Sequence, residues 1–142
     1  MPKTTFNSAL AFDFGMKRIG VAIGQSITQS ATPLPPLTAK DGVPNWSLVK
    51  TLIDEWEPDV LIVGVPLNMD GSNQLITNNT KQFIQELKEK FQIPVFETDE
   101  RLTTKASRDE IFSKHGYKGL KKMSIDGLAA ALILEQWMQE NV

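Results

Sequence analysis

The chain has no cysteine and a single histidine among its 142 residues. Disulfides, thiolate zinc sites and cysteine nucleophiles are therefore excluded, and imidazole chemistry rests on His115 alone, beside Gly116 in a lysine-rich stretch. Long hydrophobic runs are missing as well. No segment approaches the roughly 18 apolar residues that a membrane-spanning helix needs, and the opening MPKTTFNSAL has no apolar signal core. These absences predict a cytoplasmic protein with no membrane partner. There is no G-x-x-x-x-G-K-[ST] phosphate loop either.

What is present fits one domain, residues 1–142, with a hydrophobic fraction of 41% and a charged fraction of 23%. The net charge of −2 argues against a general nucleic-acid coat protein. The charge is unevenly spread. Between Arg101 and Lys122 stand seven basic residues and two acidic ones, a local excess of +5 that suits phosphate neutralisation, or equally a solvated surface.

Periodicity outlines the elements. Residues 8–14 and 17–25 read as strands joined by a turn at Gly15-Met16. Residues 31–39 read as a third strand, restricted by Pro33, Pro35 and Pro36 to an edge or an irregular extended segment. Asn45 to Trp56 has helical spacing, with Trp46, Leu48, Val49, Leu52, Ile53 and Trp56 as its packing residues and Pro58 closing it. Residues 59–65 form a nearly continuous apolar run, as in a strand covered on both faces. A helix capped by Ser72 is expected to about Lys90, with Leu75, Ile76, Phe83, Ile84 and Leu87 inward. A strand at 93–98 follows, then a helix from Thr103 or Thr104 to about Ser113. A loop at 114–123 leads to a last helix capped by Ser124, with an inward stripe of Ile125, Leu128, Ala129, Leu132, Ile133 and Trp137. Hairpin-joined strands followed by helix-joined strands predict a five-stranded mixed α/β sheet with helices on both faces.

The chemistry centres on Asp13. It ends the first apolar strand, where an ionised carboxylate without a partner is costly. In an open α/β sheet, ligands bind beyond the carboxyl ends of the parallel strands. Asp99 and Glu100 end the last strand, and Asp126 opens the last helix. Two carboxylates about 4 Å apart repel by roughly 4 kcal/mol at an effective dielectric of about 20. Such a cluster must take up protons or cations, and oxygen-only donors favour Mg²⁺ or Mn²⁺. Each acid also has a purely structural role open to it. Asp13 can satisfy the turn at Gly15, Asp126 can favour a helix N-terminus, and strand alternation lets only one of Asp99 and Glu100 face a common site. Asp13-Phe14-Gly15 spells the magnesium tripeptide of protein kinases, but the chain lacks their other loops and their length.

Four segments carry a resemblance over almost the whole chain. They are Asp13-Phe14-Gly15-Met16-Lys17-Arg18-Ile19-Gly20-Val21-Ala22, Val63 to Gly71 (VGVPLNMDG), Asp99-Glu100-Arg101-Leu102-Thr103-Thr104 and Asp126-Gly127-Leu128-Ala129-Ala130. In this order they resemble the YqgF family, also called RuvX, of Holliday-junction-resolvase-like proteins. The resemblance implies an RNase H-like fold and a metal-dependent nuclease that matures the 5′ end of precursor 16S ribosomal RNA. It implies that Asp13, Glu100 and Asp126 are the metal-binding acids, for one or two Mg²⁺ or Mn²⁺ ions. Lys17, Arg18, Arg101, Lys118, Lys121 and Lys122 are expected to contact flanking phosphates. Precursor ribosomal RNA is the expected partner, with ribosomal particles or branched DNA as alternatives. Two departures weaken the case for junction cleavage. Val63-Gly64-Val65 stands where related resolvases carry an acid, so that Glu100 must supply that carboxylate from the next strand, and Ala129 stands where they carry a second acid in the last helix. The rival readings are an RNA-binding assembly or transcription factor without catalysis, and a small actin-like or sugar-kinase-like ATPase. The ATPase would need a second glycine-flanked phosphate hairpin, which is absent.

Overall fold

A computed structural model describes residues 6–65, 75–99 and 125–141. Along the chain run β1 (Ser8–Asp13), β2 (Arg18–Gln25), β3 (Ser30–Lys40), β4 (Val43–Pro44), α1 (Trp46–Trp56), β5 (Val60–Val65), α2 (Leu75–Lys90), β6 (Val95–Asp99) and α3 (Ile125–Asn141). One sheet of order β4-β3-β2-β1-β5-β6 contains all the strands of the described residues. The hairpin-linked strands β1 to β4 pair antiparallel. Strands β1, β5 and β6 pair parallel, as helical crossovers require. The sheet has six strands rather than the five expected from sequence. The additional one is only Val43–Pro44, too short for alternation to reveal, and it pairs with Ala39 and Lys40. The expected helix near 103–113 and the caps Ser72 and Ser124 lie outside the described residues.

The prolines of β3 have a clear accommodation. Ile19 pairs with Leu37 but Val21 with Leu34, so Pro35 and Pro36 bulge opposite Gly20. A bulge tolerates residues that lack an N–H. Since β4 covers only its last two residues, the rest of β3 behaves as an edge.

Each face of the sheet carries its own core. On one side Leu10, Phe12, Val21, Ile23, Leu61 and Val63 pack beneath Val49 and Ile53 of α1 and Phe83, Ile84 and Leu87 of α2. Phe83 is the hub: its ring meets Phe12 edge-on at 5.5 Å, Phe14 at 5.4 Å and Trp46 in a stack at 5.6 Å. Helix α1 starts at Asn45, whose side chain accepts from the Ser47 N–H at 3.0 Å. It stops at Glu57, left-handed with φ 47°, whose N–H donates to the Ile53 carbonyl at 2.8 Å. Pro58 therefore follows a cap already made. Two of the expected packing residues of α1 are left outside: Leu48 is 48% exposed and Trp56 37%.

On the other side the sheet presents small residues, Ala9, Ala11, Ala22 and Ala31, to Ala130, Ala131, Ile133, Leu134, Trp137 and Met138 of α3. Small residues let the helix lie close. A Cβ on Gly24 would come within 2.9 Å of Leu134 Cδ2. The stripe expected on this helix is incomplete, because Leu128 and Leu132 are buried along with Ala130, Ala131, Leu134 and Met138, whereas Ala129 is half-buried. A helix apolar nearly all round offers periodicity no face to choose.

Candidate active site

Strand alternation decides which way each site position faces. Along β1, Leu10 and Phe12 enter the α1/α2 core while Ala9 and Ala11 enter the α3 core. Asp13 shares the parity of Ala11 and so belongs to the α3 face, at the carboxyl end of the strand, half-buried. Its partners in register are Gly20 on β2 and Gly64 on β5, and Gly64 pairs in turn with Thr98 on β6. The carboxylate thus stands in a row whose two adjacent positions carry no side chain. Thr98 is the next side chain in that row, two strand spacings or about 10 Å away. Sequence reading singled out Gly64 but not Gly20 or Thr98, since only the register shows that they share the row.

The turn that follows Asp13 is held from several sides. A Cβ on Gly15 would lie 2.3 Å from the Arg18 carbonyl oxygen, so the turn closes only around glycine. The Met16 carbonyl accepts from the Gly42 N–H at 2.9 Å and the Lys17 carbonyl from the Ala39 N–H at 2.7 Å. Gly42 has φ +82° and sits under Phe14 and Met16, where a Cβ would come 2.9 Å from the Phe14 ring. Phe14 itself is buried against Phe83. Lys17 and Arg18 are exposed at this turn. Arg18 has the parity of Gly20 and Ala22, which puts it on Asp13's face of the sheet.

At its other end β1 is tied to β5. Asp59 Oδ2 accepts from the Asn7 and Ser8 N–H groups at 2.7 and 3.2 Å, and the Asp59 N–H donates to the Ser8 carbonyl at 2.9 Å.

Helix α3 supplies the remaining direction. Its C-terminal half lies over the amino end of β1: Trp137 meets Phe6 at 5.3 Å, Leu134 and Met138 flank Gly24, and Glu135 accepts from the Ala31 N–H at 3.3 Å. The helix climbs back along the sheet at about 1.5 Å per residue, so its first turn, containing Asp126, is directed toward the carboxyl end of β1. Asp99 closes β6 one register step past Thr98. The side chains of Asp99 and Asp126, and all of Glu100, Arg101, Lys118, Lys121 and Lys122, lie outside the described residues. Alternation along β6 assigns Phe96 and Thr98 to the α3 face. Among the described residues, no three His, Cys, Asp or Glu side chains converge on a metal-sized space, and no helix is long and apolar enough to cross a membrane.

The 3-2-1-5-6 core of this sheet has an acid closing its first strand and helices on both faces, which defines an RNase H-like α/β fold. Solved structures agree in fold. The chain is similar to RuvC of T. thermophilus in complex with a Holliday junction substrate, with TM-score 0.60 and 14% identity over 94% of this chain and 95% of that one. It is similar to the Fowlpox virus resolvase in complex with substrate Holliday junction DNA, with TM-score 0.59 and 19% identity over 94% and 97%. Residues 7–140 match the family RuvX, described as Holliday junction resolvase. Over 132 residues the chain is 52% identical to a Haemophilus ducreyi protein named "Putative pre-16S rRNA nuclease", covering 93% of this chain and 96% of that protein. A Haemophilus influenzae protein of the same name is 53% identical over 93% and 95%. The chain belongs to the RuvX family.

Proposed function

We propose that the chain is a single-domain, metal-dependent nuclease of the cytoplasm that hydrolyses phosphodiester bonds in precursor 16S ribosomal RNA during 5′-end maturation. The observation that carries this reading is the placement of Asp13. It is a half-buried carboxylate at the carboxyl edge of the sheet, on the face toward which the first turn of α3 points. The relatives at about 50% identity, named for pre-16S rRNA, support the substrate.

The proposed donor set is Asp13, Glu100 and Asp126, all oxygen, which suits a hard divalent cation. When bound, one or two Mg²⁺ or Mn²⁺ ions would supply charge stabilisation at the reacting phosphate. The chain's own residues do the rest. Lys17 and Arg18, exposed on the turn beside Asp13, hold flanking phosphates and position the strand without reading bases. Arg101, Lys118, Lys121 and Lys122 extend that role. In hydrolysis the oxygen of water adds to phosphorus and gives up a proton, the bond to the leaving oxygen breaks, and that oxygen takes up a proton and departs as a hydroxyl. Cleavage of branched DNA is the less favoured reading, because Gly64 brings no carboxylate to the position beside Asp13.

The test is Asp13→Asn, assayed on precursor 16S RNA and on a branched DNA duplex with Mg²⁺ or Mn²⁺. The expected result is loss of metal-dependent RNA cleavage, by about 10²-fold or more, with an unchanged melting temperature. Undiminished cleavage by this variant would refute the assignment of Asp13.

A further inference from the structure

A groove of about 390 Å³ runs between β3 and α1, on the sheet face opposite α3. Leu34, Pro35 and Pro36 form its strand wall, and Leu48, Leu52 and Trp56 its helix wall. Leu48 and Trp56 are the large side chains that the α1 core leaves exposed. Two of the wall residues are prolines in a bulge, so this edge offers few backbone donors to an added strand. An occupant must engage through its side chains, as an amphipathic helix does in an apolar groove.

Charge selects the occupant. Glu55 lies in the groove wall, and the exposed Glu57 follows Trp56 at the end of α1. The nearby cation Lys50 is held by Asp54 at 2.6 Å. An apolar groove with carboxylates at its rim repels a phosphate backbone and attracts cationic side chains. We infer that this groove docks a basic amphipathic helix of a partner protein. Its apolar residues at i, i+3 and i+4 enter between β3 and α1, and its lysines or arginines face Glu55 and Glu57. Because the groove and Asp13 lie on opposite faces of the sheet, a docked partner leaves the nuclease site accessible. The inference does not depend on the nuclease reading.

The probe is a fluorescein-labelled peptide of about 14 residues, roughly four helical turns. It carries Leu or Phe at i, i+3, i+4 and i+7 and Lys elsewhere, and is titrated into the full chain by fluorescence anisotropy. Saturable binding is expected, weakened about tenfold or more by Leu48→Ser, Trp56→Ser and Glu55→Lys and unchanged by Asp13→Asn. Amide shifts in NMR spectra should cluster on 34–37 and 48–56. A peptide with serine at the anchor positions and the same charge should bind about tenfold more weakly or worse. Glu55→Lys changes only an exposed charge, so it remains informative if an apolar variant loses its fold. The proposal is overturned by absence of saturable binding, by equal binding of the charge-only peptide, or by undiminished binding to Glu55→Lys. Amide shifts outside the groove, or stronger occupation of it by a single-stranded RNA oligonucleotide, would also overturn it.

Discussion

Replacing Gly15 with alanine is the most economical way to disturb the site without touching a carboxylate. The added Cβ would sit 2.3 Å from the Arg18 carbonyl oxygen, and real Cβ contacts essentially never fall below 3.0 Å. The turn must therefore open by about 0.7 Å, an overpacking of the kind that costs about 1–3 kcal/mol. Neither end can give freely. Arg18 is the first residue of β2, paired with Thr38, and Phe14 is wedged against Phe83 and Gly42. At this chain length about 1 kcal/mol corresponds to roughly 3–4 °C, so calorimetry should show a melting temperature lowered by about 3–12 °C. A displacement approaching 1 Å at the residue next but one to Asp13 should also slow cleavage of precursor RNA by about 10–100-fold. Wild-type melting and wild-type cleavage in Gly15→Ala together would refute the view that this turn closes tightly and aims Asp13.

Other expectations follow from the same geometry. Phe83→Ala removes the ring shared by Phe12, Phe14 and Trp46 and should cost about 3–5 kcal/mol in urea unfolding, much of the stability of a domain this size. Asp59→Ala frees the Asn7 and Ser8 N–H groups at an exposed position. It should cost about 1 kcal/mol in the same assay and leave cleavage unchanged, because it acts at the end of β1 remote from Asp13.

Much of this arrangement is legible in the residues. The apolar runs that make 8–13, 18–25 and 60–65 strands, and the four ordered motifs, all lie in local pattern. Hairpin-like connections before Asn45 and helical crossovers after it were enough to anticipate a mixed sheet with both faces covered. Asp13 was conspicuous because a carboxylate at the end of a buried strand is costly without a task.

Other features depend on elements far apart in sequence. The two-residue β4 exists only because Val43 and Pro44 find Ala39 and Lys40. Leu48 and Trp56 have the helical spacing of core residues, yet the sheet that α1 covers leaves them outside. Helix α3 is apolar nearly all round, so contacts with the sheet choose its inward face, and the small residues of β1, β2 and β3 set its closeness. Register alone sets Gly20, Asp13, Gly64 and Thr98 in one row. Sequence by itself marked most of the elements and singled out Asp13, because propensity and burial cost act over a few residues. Tertiary structure decided what stands beside that acid and which face it shares, because register and helix docking are settled by contacts between distant segments.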